Sequence, residues 1–412
     1  MSAANDLRVL SLFSGAGGLD LGLEAAGFEP ALCLEIDSDA RATLAANRPR
    51  WRLADPGDIH AVEPVEVLRQ AGMKPRQLAL LAGGPPCQPF SKSAYWANGH
   101  GGRLEDPRAE TLGAYIRVVD AALPQVLLIE NVKGLAYAGK DEGLKLLERE
   151  IGAINRRRGT KYALQTIQLN TAAYGIPQSR ERIFLIASID GQGFDLPPPT
   201  HGENLEPLRT AWDAIGDLDV DTWPSELNLS GRWADLLPSI PEGWNYLWHT
   251  PRNEPNGGQP LFGWRTRYWS FLLKLAKNQP AWTIQAAPGP ATGPFHWRSR
   301  LLSTKELCRL QTFPEDYVIK GTRQSAHRQI GNAVPSAIAE LLGLEIRRQF
   351  FGEKVRRTPR LIPSVRYGCP PPQRRGRVPK QYLDLRGRYE DHPGHGLGPG
   401  ARRRDQAFGV TR

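Results

Sequence analysis

The chain has 412 residues, of which 40% are hydrophobic and 23% charged, and its formal net charge is +10. Length and apolar content suffice for one large or two medium domains with buried cores. No run of about 18 apolar residues exists, which excludes a membrane-spanning helix, and we expect no export signal. The basic excess favours a polyanionic partner, nucleic acid before membrane.

The four cysteines, Cys33, Cys87, Cys308 and Cys369, show no CxxC spacing. Four cysteines in a chain of this length do not form a disulfide framework, and we predict no metal site. A reducing cytoplasm fits this cysteine usage and keeps a reactive thiol available for chemistry.

The first third of the chain alternates apolar strands with amphipathic helices. Strands are predicted at 8–13, 31–36, 78–82, 126–129 and 182–187, and helices at 19–26 and 39–47. Gly27 provides the stop signal of the first helix. This alternation predicts an α/β fold with a doubly wound, mostly parallel sheet.

A glycine-rich turn, FSGAGG, connects the first predicted strand to the first helix. Gly15 and Gly17 there let the backbone approach a ligand at a helix N-terminus. Asp20 stands where a dinucleotide fingerprint has its third glycine, which argues against a pyrophosphate. Glu35 is placed to bind ribose hydroxyls, and Asp58 to accept from an adenine amino group. A nucleoside without a diphosphate fits this set, with S-adenosylmethionine as the leading candidate and a generic glycine-rich turn as the alternative.

Cys87 lies in the segment GGPPCQPFS, directly after the apolar run 78–82. Two glycines and two prolines force a sharp, stiff turn that leaves the thiol at the end of a strand. In open α/β sheets this edge is where ligands bind. The pattern therefore favours a nucleophile over the alternative, a buried structural cysteine.

Two further segments bring charged side chains to the same edge. Glu130 closes the predicted strand 126–129. If the segment QSRER is extended, Gln178, Arg180 and Arg182 share one face. Such a face suits a phosphate or a polarised base carbonyl, with an exposed basic strand edge as the alternative.

The composition changes after residue 189. Residues 190–298 are rich in Pro, Gly, Asn and Trp, which predicts a second, smaller, irregular domain. We expect its tryptophans to serve as core more often than as base-stacking residues. A helical stripe returns after Pro335, near the first helical position. Residues 352–412 are rich in Pro, Gly and Arg, and we predict disorder there.

Taken together, these segments resemble the DNA (cytosine-5) methyltransferases of bacterial restriction–modification systems. The glycine-rich, cysteine, Glu-Asn-Val and Gln-x-Arg-x-Arg segments occur in that family's order and approximate spacing, as do RLLSTKELCRLQTFP at 300–314 and QIGNAVP at 329–335. The resemblance covers roughly residues 8–350. It implies methyl transfer from S-adenosylmethionine to C5 of a cytosine in duplex DNA.

The resemblance also implies a role for each residue of the candidate site. Cys87 would attack C6 of a flipped-out cytosine, Glu130 would stabilise charge at N3 and the exocyclic amine, and Arg182 would lie near O2. Arg180 would orient the catalytic loop or a phosphate, and the loop 92–105 looks like a lid. The implied cofactor contacts are Phe13, Gly15, Gly17, Glu35, Asp58, Pro86, Leu112 and Asn332.

By the same resemblance, the catalytic domain comprises residues 1–189 and is completed by 326–351, with 190–325 as the target-recognition region and 352–412 as a basic tail. Its candidate contacts to phosphate or guanine, with solvated loop charges as the alternative, are Arg265, Arg267, Arg298 and Arg300.

We expect a monomer that acts on double-stranded DNA in the cytoplasm, beside a possible cognate restriction endonuclease. Two other functions stay open. An RNA (tRNA) cytosine-5 methyltransferase has the same cysteine loop, and a DNA-binding regulator could have lost catalysis. The presence of Cys87, Glu130 and Arg182 argues against the regulator.

Overall fold

A six-stranded sheet forms the centre of the computed structural model, which describes residues 7–85, 107–131, 142–264 and 266–388. Its strands are β1 (Arg8–Leu12), β2 (Glu29–Leu34), β3 (Leu80–Gly83), β4 (Val126–Asn131), β5 (Gln165–Asn170) and β7 (Glu181–Ser188). The order is β2-β1-β3-β4-β7-β5. Neighbours among the first four strands are parallel, whereas β7 runs antiparallel to β4 and β5. The predicted α/β fold with a mostly parallel sheet is confirmed.

Helices cover both faces of this sheet. They are α1 (Gly18–Ala26), α2 (Ser38–Asn47), α3 (Pro64–Ala71), α4 (Pro107–Ala122), α5 (Glu142–Arg158), α6 (Ala211–Ile215), α7 (Thr304–Leu310), α8 (Arg323–Asn332) and α9 (Ser336–Phe350). One face packs against α3, α4 and α5, and the other against α1 and α9. Because both faces are buried, the central strands are continuous apolar runs. In the described ranges no helix is long and apolar enough to cross a membrane.

Close backbone contact joins α9 to α1. A Cβ atom on Gly22 would lie 2.3 Å from the carbonyl oxygen of Ser336, and one on Gly18 would lie 2.4 Å from that of Val334. Glycine is therefore required at both positions for the two helices to pack at this distance. The packing brings the turn after Asn332 to the C-terminal ends of the parallel strands.

Residues 190–303 contain few regular elements. Short 3₁₀ helices and α6 are joined by loops. A two-residue strand, β8 (Ala281–Trp282), pairs in parallel with β6 (Gln178–Ser179), which lies directly before β7. A separate apolar cluster that includes Phe262 and Phe271 forms the core of this region. Its boundaries as a domain stay a prediction.

The tryptophans of this region differ widely in exposure. Trp297 is fully buried and Trp248 is 8% exposed. In contrast, Trp244, Trp264 and Trp269 are 41%, 40% and 54% exposed. Only some of these side chains therefore belong to the core.

Residues 352–388 fold against the rest of the protein, so the prediction of disorder is wrong for this part of the tail. The Glu340 carboxylate, which belongs to a residue 0% exposed, accepts the backbone N–H groups of Arg360 and Leu361 at 2.9 Å each. Tyr382 is only 4% exposed. Buried acceptors and apolar surface elsewhere in the fold supply partners that the tail's own composition does not reveal. The rest of the predicted tail lies outside the described residues.

Candidate active site

A cavity of about 480 Å³ opens at the C-terminal ends of the parallel strands. The turns after β1, β2 and β3, the end of β4, the start of β7 and the turn after α8 form its wall. A volume of this size is typical of small-molecule sites. The predicted site residues that line it are Phe13, Gly15, Glu35, Glu130, Arg180, Arg182 and Asn332.

The glycine-rich turn after β1 is fixed by the Glu35 carboxylate. The backbone N–H of Gly15 donates to Glu35 Oε2 at 2.7 Å, and that of Asp37 donates to Oε1 at 2.8 Å. Gly15 has φ +54° and Gly17 has φ +80°, a left-handed conformation that favours glycine. Each carboxylate oxygen keeps a lone pair, so Glu35 can still accept ribose hydroxyls. These contacts fit a nucleoside cofactor.

Ile36 was not predicted as a site residue. It lines the cavity directly beside Glu35, and its side chain is 67% exposed. An apolar side chain that protrudes at this position offers a contact for an adenine ring. The signal in the sequence was obscured because the predicted strand extended to residue 36, whereas β2 ends at Leu34.

Glu130 and Arg182 form an ion pair at the rim of the cavity. Arg182 Nε lies 2.7 Å from Glu130 Oε1, and the two side chains are 11% and 12% exposed. The geometry is that of an ion pair and not of a linear hydrogen bond. Antiparallel pairing of β4 with β7 brings these residues together, with Glu130 opposite Phe184. The site therefore holds an acid and a cation side by side.

The turn after β3 begins next to this ion pair. A Cβ atom on Gly84 would lie 3.1 Å from Glu130 Oε2, so a side chain there would crowd the carboxylate. Asn131 Nδ2 donates to the carbonyl of Pro85 at 3.4 Å. The chain that leads to Cys87, two residues further on, is thus held beside the acid.

Some predicted residues lie outside the described part of the chain. Pro86, Cys87, the lid 92–105 and Arg265 are among them, and their roles stay predictions.

Arg180 is buried, at 1% exposure, although it borders the cavity. Its guanidinium donates to the carbonyls of Ile284 at 3.0 Å, Gly331 at 2.7 Å and Ala333 at 3.2 Å. The predicted contact to a phosphate is therefore wrong, because these carbonyls already engage the guanidinium. Arg180 thus joins three segments at the cavity wall, and the alternative that it orients the catalytic loop stays a prediction.

Three predicted cofactor contacts do not line the cavity. Gly17 caps α1, and a Cβ atom on it would lie 2.8 Å from Leu44. Leu112 belongs to the core cluster against which Phe13 packs, so it supports the cavity from behind. Asp58 Oδ1 accepts the backbone N–H of His60 at 2.9 Å. Their direct contact with a cofactor stays a prediction.

The predicted DNA contacts Arg298 and Arg300 are engaged within the protein. Arg300 is 2% exposed, and its Nη2 lies 2.7 Å from Glu306 Oε1, so the prediction that it contacts DNA is wrong. Arg298 pairs with Asp219 and, at 2.7 Å, with Asp221. The alternative reading as solvated loop charges is wrong for Arg300 as well. The sequence offered no signal for these pairs, because the acids lie far along the chain or on another turn.

Asp20 is a buried acid beneath the glycine-rich turn. The residue is 0% exposed, and neither carboxylate oxygen has a well-formed hydrogen bond within the described residues. Burial raises the pKa of Asp20 to about 7, the Ser11 hydroxyl offsets part of this, and Glu35 adds to it. The position that argued against a dinucleotide thus carries a buried acid whose charge is only partly compensated.

The fold and the site define an α/β enzyme with a small-molecule cavity and an acid–guanidinium pair at one sheet edge. A family model described as C-5 cytosine-specific DNA methylase matches residues 7–348, so the chain belongs to that family and is a DNA (cytosine-5) methyltransferase. Its methyl donor is S-adenosylmethionine. The resemblance predicted from the sequence is confirmed.

Individual relatives agree with the family match. The chain is 35% identical over 370 residues to the type II methyltransferase M.SacI of Streptomyces achromogenes, which covers 82% of this chain and 92% of the relative. It is 32% identical over 342 residues to the type II methyltransferase M.NgoFVII of Neisseria gonorrhoeae, with 81% and 84% covered. A solved structure of a prophage-encoded putative DNA modification methyltransferase from E. coli matches with a TM-score of 0.57 at 23% identity, covering 84% of this chain and 100% of that one. This structural likeness supports the fold.

Proposed function

We propose that the protein transfers a methyl group to C5 of a cytosine flipped out of a specific duplex DNA sequence, as the methyltransferase of a type II restriction–modification system. The observation that best supports this function is the Glu130–Arg182 pair, 2.7 Å apart at the cavity rim. It lies beside the turn that leads to Cys87 and near the turn after β1 that fits a nucleoside cofactor. Acid and cation thus lie at the edge of the sheet where the turn that precedes Cys87 in the sequence begins.

The proposed chemistry begins at C6 of the cytosine, because C5 is a weak nucleophile within an aromatic ring. The Cys87 thiolate adds to C6, so a sulfur–carbon bond forms and ring electrons move to C5. S-adenosylmethionine supplies an electrophilic methyl group on a sulfonium sulfur. C5 would attack that methyl group, so the sulfur–methyl bond breaks and S-adenosylhomocysteine leaves. C5 then loses its proton to a base, and the electron pair of that C–H bond restores the ring as the thiolate is expelled.

Glu130 and Arg182 have complementary roles in this proposal. Glu130 binds N3 and the exocyclic amine of cytosine and stabilises the charge that develops on the ring. Arg182 donates to O2, which is next to N3 on the same edge of the base. Because the two side chains already pair at 11% and 12% exposure, little reorganisation is needed when the base enters.

On the cofactor side, Glu35 would accept the ribose hydroxyls and Ile36 would contact the adenine. Phe13, Gly15 and Asn332 complete the wall at the turns after β1 and α8. The absence of a side chain at Gly15 allows the cofactor to approach the backbone there. This assignment follows from the contacts that fix Glu35 at the cavity wall.

Duplex DNA enters this proposal through base flipping. A cytosine stacked within a helix cannot reach an enclosed cavity, so it must leave the stack at a cost of a few kcal/mol. The formal charge of +10 suits a polyanionic substrate. We expect a monomer that works in the cytoplasm on chromosomal DNA, with a cognate endonuclease that acts on the same sequence without a stable complex.

Transfer of tritiated label from S-adenosylmethionine tests the substrate. Duplex DNA and tRNA are incubated with the protein in parallel, and label is expected in DNA. Label found only in tRNA would show that the substrate is RNA and not DNA. Absence of label from both would contradict catalysis and favour the DNA-binding regulator.

Variants of the two central residues test the mechanism. Cys87→Ser should nearly abolish transfer while duplex binding persists, and Glu130→Gln should lower kcat by about 10²- to 10⁴-fold. Glu29→Gln, an exposed change at the opposite end of the sheet, serves as the control and should leave kcat unchanged. A duplex with 5-fluorocytosine should form a covalent complex with the wild-type protein, since fluorine cannot leave as a proton does. Substantial turnover by Cys87→Ser would refute the nucleophile.

A further inference from the structure

The segment 371–388 is strongly basic and lies beyond the residues that the family model matches. It carries six exposed cations and one acid, Asp384. These cations, which we call the C-terminal basic face, are Arg374, Arg375, Arg377, Lys380, Arg386 and Arg388. Clustered charges of one sign repel one another and weaken the folded state, so folding alone does not account for them.

The backbone that carries these cations is fixed on the 190–303 region. The N–H of Gly376 donates to the carbonyl of Pro238 at 2.8 Å, and the Tyr382 hydroxyl donates to that of Arg232 at 2.7 Å. The Tyr382 ring also stacks on Trp233, with the centroids 5.9 Å apart. The backbone of the C-terminal basic face is therefore already ordered, which reduces the conformational entropy lost when a ligand binds.

The charges of this face are not neutralised by the protein. Arginines in neighbouring segments pair with carboxylates, as Arg298 does with Asp221 at 2.7 Å and Arg309 with Glu315 at 2.6 Å. Arg375 donates to a carbonyl oxygen, that of Gly257, at 2.9 Å. Among the described residues, no cation of the C-terminal basic face forms an ion pair with a carboxylate. The face thus presents positive charge to solvent.

The C-terminal basic face adjoins residues 266–269 of the irregular region, which we call the aromatic segment because Tyr268 and Trp269 are exposed. Leu385 and Arg388 border a crevice together with Thr266 and Arg267. The next residues of that segment include Trp269, which is 54% exposed. Cations and exposed aromatic rings are therefore contiguous on one surface.

Direct contacts connect this surface to the wall of the active-site cavity. The Trp269 ring meets the Trp282 ring with centroids 5.6 Å apart, and Gln285 Nε2 donates to Ser270 Oγ at 2.9 Å. The strip that carries Trp282 and Gln285 also carries Ile284, whose carbonyl accepts from Arg180 at the cavity. A ligand that spans the cavity and the aromatic segment would thus reach the C-terminal basic face.

We propose that the C-terminal basic face binds phosphates of the duplex DNA that flanks the target cytosine. This inference rests on the proposed function, and it assigns DNA contacts to a segment outside the family match. Fixed, unpaired, exposed cations next to the active-site surface are complementary to a sugar–phosphate backbone. Phosphate contacts carry no sequence information directly, so the segment contributes affinity and leaves the recognised sequence unchanged.

The salt dependence of DNA binding tests this inference in the full chain. One triple variant replaces Arg377, Arg386 and Arg388 by Gln. The matched control replaces Lys74, Arg156 and Lys161 by Gln, three cations that are likewise exposed but lie near the opposite end of the sheet. The probe is a fluorescent mixed-sequence duplex of about 30 base pairs, long enough to extend beyond a single recognition site.

Each lost phosphate contact lowers the slope of log affinity against log salt by about 0.9. Between 50 and 200 mM salt the affinity of the wild-type protein should therefore fall about 40-fold more than that of the first variant. The control should keep the wild-type slope. Both variants should melt at or above the wild-type melting temperature, the first because like-charge repulsion is relieved, and both should keep the wild-type affinity for S-adenosylmethionine.

A wild-type slope in the first variant, or a change no larger than that in the control, would overturn the inference. Failure of the proposed function gives a different result, since the wild-type protein then transfers no label to DNA. The two failures are thus distinguishable.

Discussion

Arg180 and Arg182 occupy alternate positions of one extended segment, yet their surroundings differ. Both border the cavity, as the predicted shared face requires. Arg182 pairs with Glu130, whereas Arg180 is buried against carbonyls that include those of Ile284 and Gly331. Those carbonyls lie far along the chain, so no local pattern could reveal which arginine is buried. The sequence therefore predicted which kinds of side chain lie at the site but not how deeply each side chain is buried.

The stability of the protein should depend on pH through Asp20. Its folded-state pKa is about 7 instead of 3.8, so the folded protein binds a proton that the unfolded chain releases near pH 4. Protonation of Asp20 therefore favours the folded state. The stability that it provides is present in full below about pH 4 and is lost as the pH rises through about 7. Asp20→Asn should therefore be more stable than the wild type at pH 8, by up to about 4 kcal/mol, and the difference should vanish near pH 4.

Urea unfolding of both proteins at several pH values between 4 and 8 measures the predicted effect of Asp20. Asp316→Asn, at an exposed position, is the control and should follow the wild type throughout. Equal stability of Asp20→Asn and the wild type at pH 8 would show that the buried carboxylate has a partner or a water that compensates its charge.

Strands with both faces buried could be predicted from their sequence. The apolar runs 78–82 and 126–129 correspond to β3 and β4, because strands in the middle of a parallel sheet meet apolar surface on both faces. β5 was not predicted, since only Ile167 and Leu169 of its six residues are buried and two alternating apolar residues are a weak signal. The position of α9 on α1 depends on long-range backbone contact that no single helix pattern reports.

Replacement of Gly22 by Ala should separate α1 from α9. The new Cβ atom would meet backbone at Ser336, 2.3 Å away, and at Glu340, 2.6 Å away, and neither can rotate aside. We expect a loss of about 1–3 kcal/mol in the free energy of unfolding. Affinity for S-adenosylmethionine should also fall, because the turn after Asn332 lies at the end of the displaced segment.

Gly152→Ala in α5 is the matched control. A Cβ atom there would approach only Arg156 Nη1, at 3.7 Å, so the change should stabilise the helix by about 0.5–1 kcal/mol. Chemical unfolding and calorimetric titration of the cofactor measure both variants. Similar stability changes in the two helices would contradict tight packing of α1 on α9.

At the scale of the whole molecule, residues 352–388 connect the sheet domain to the irregular region. The segment satisfies Glu340 on α9, and its Pro371 carbonyl accepts from Lys277 Nζ at 3.1 Å. Lys277 itself is 1% exposed and pairs with Glu242 at 2.5 Å. Composition predicted disorder for this segment because it reflects only the apolar surface that the segment itself can bury. Most contacts of the segment are instead to groups elsewhere in the protein.

A chain that ends at residue 352 should be much less stable than one that ends at 388. The shorter chain leaves the buried Glu340 carboxylate without the N–H groups of Arg360 and Leu361, and a buried charge without partners costs about 3–5 kcal/mol. Such a loss is a large fraction of the total stability of about 5–15 kcal/mol that is typical of a folded protein. Melting temperatures of both truncated proteins and the full chain provide the measurement. Equal melting of all three would mean that the segment packs without stabilising the fold.

The two-residue ladder between β6 and β8 ties the irregular region to a side chain of the cavity wall, since Ile284 follows it and accepts from Arg180. A hybrid enzyme in which residues 190–303 are exchanged for the equivalent stretch of a relative must therefore preserve that ladder and the carbonyl at 284. Loss of methylation in such a hybrid would have two causes to separate: failed DNA reading, or a guanidinium that has lost its anchor. Grafts within residues 190–303 should therefore keep residues 281–284 of this chain in place.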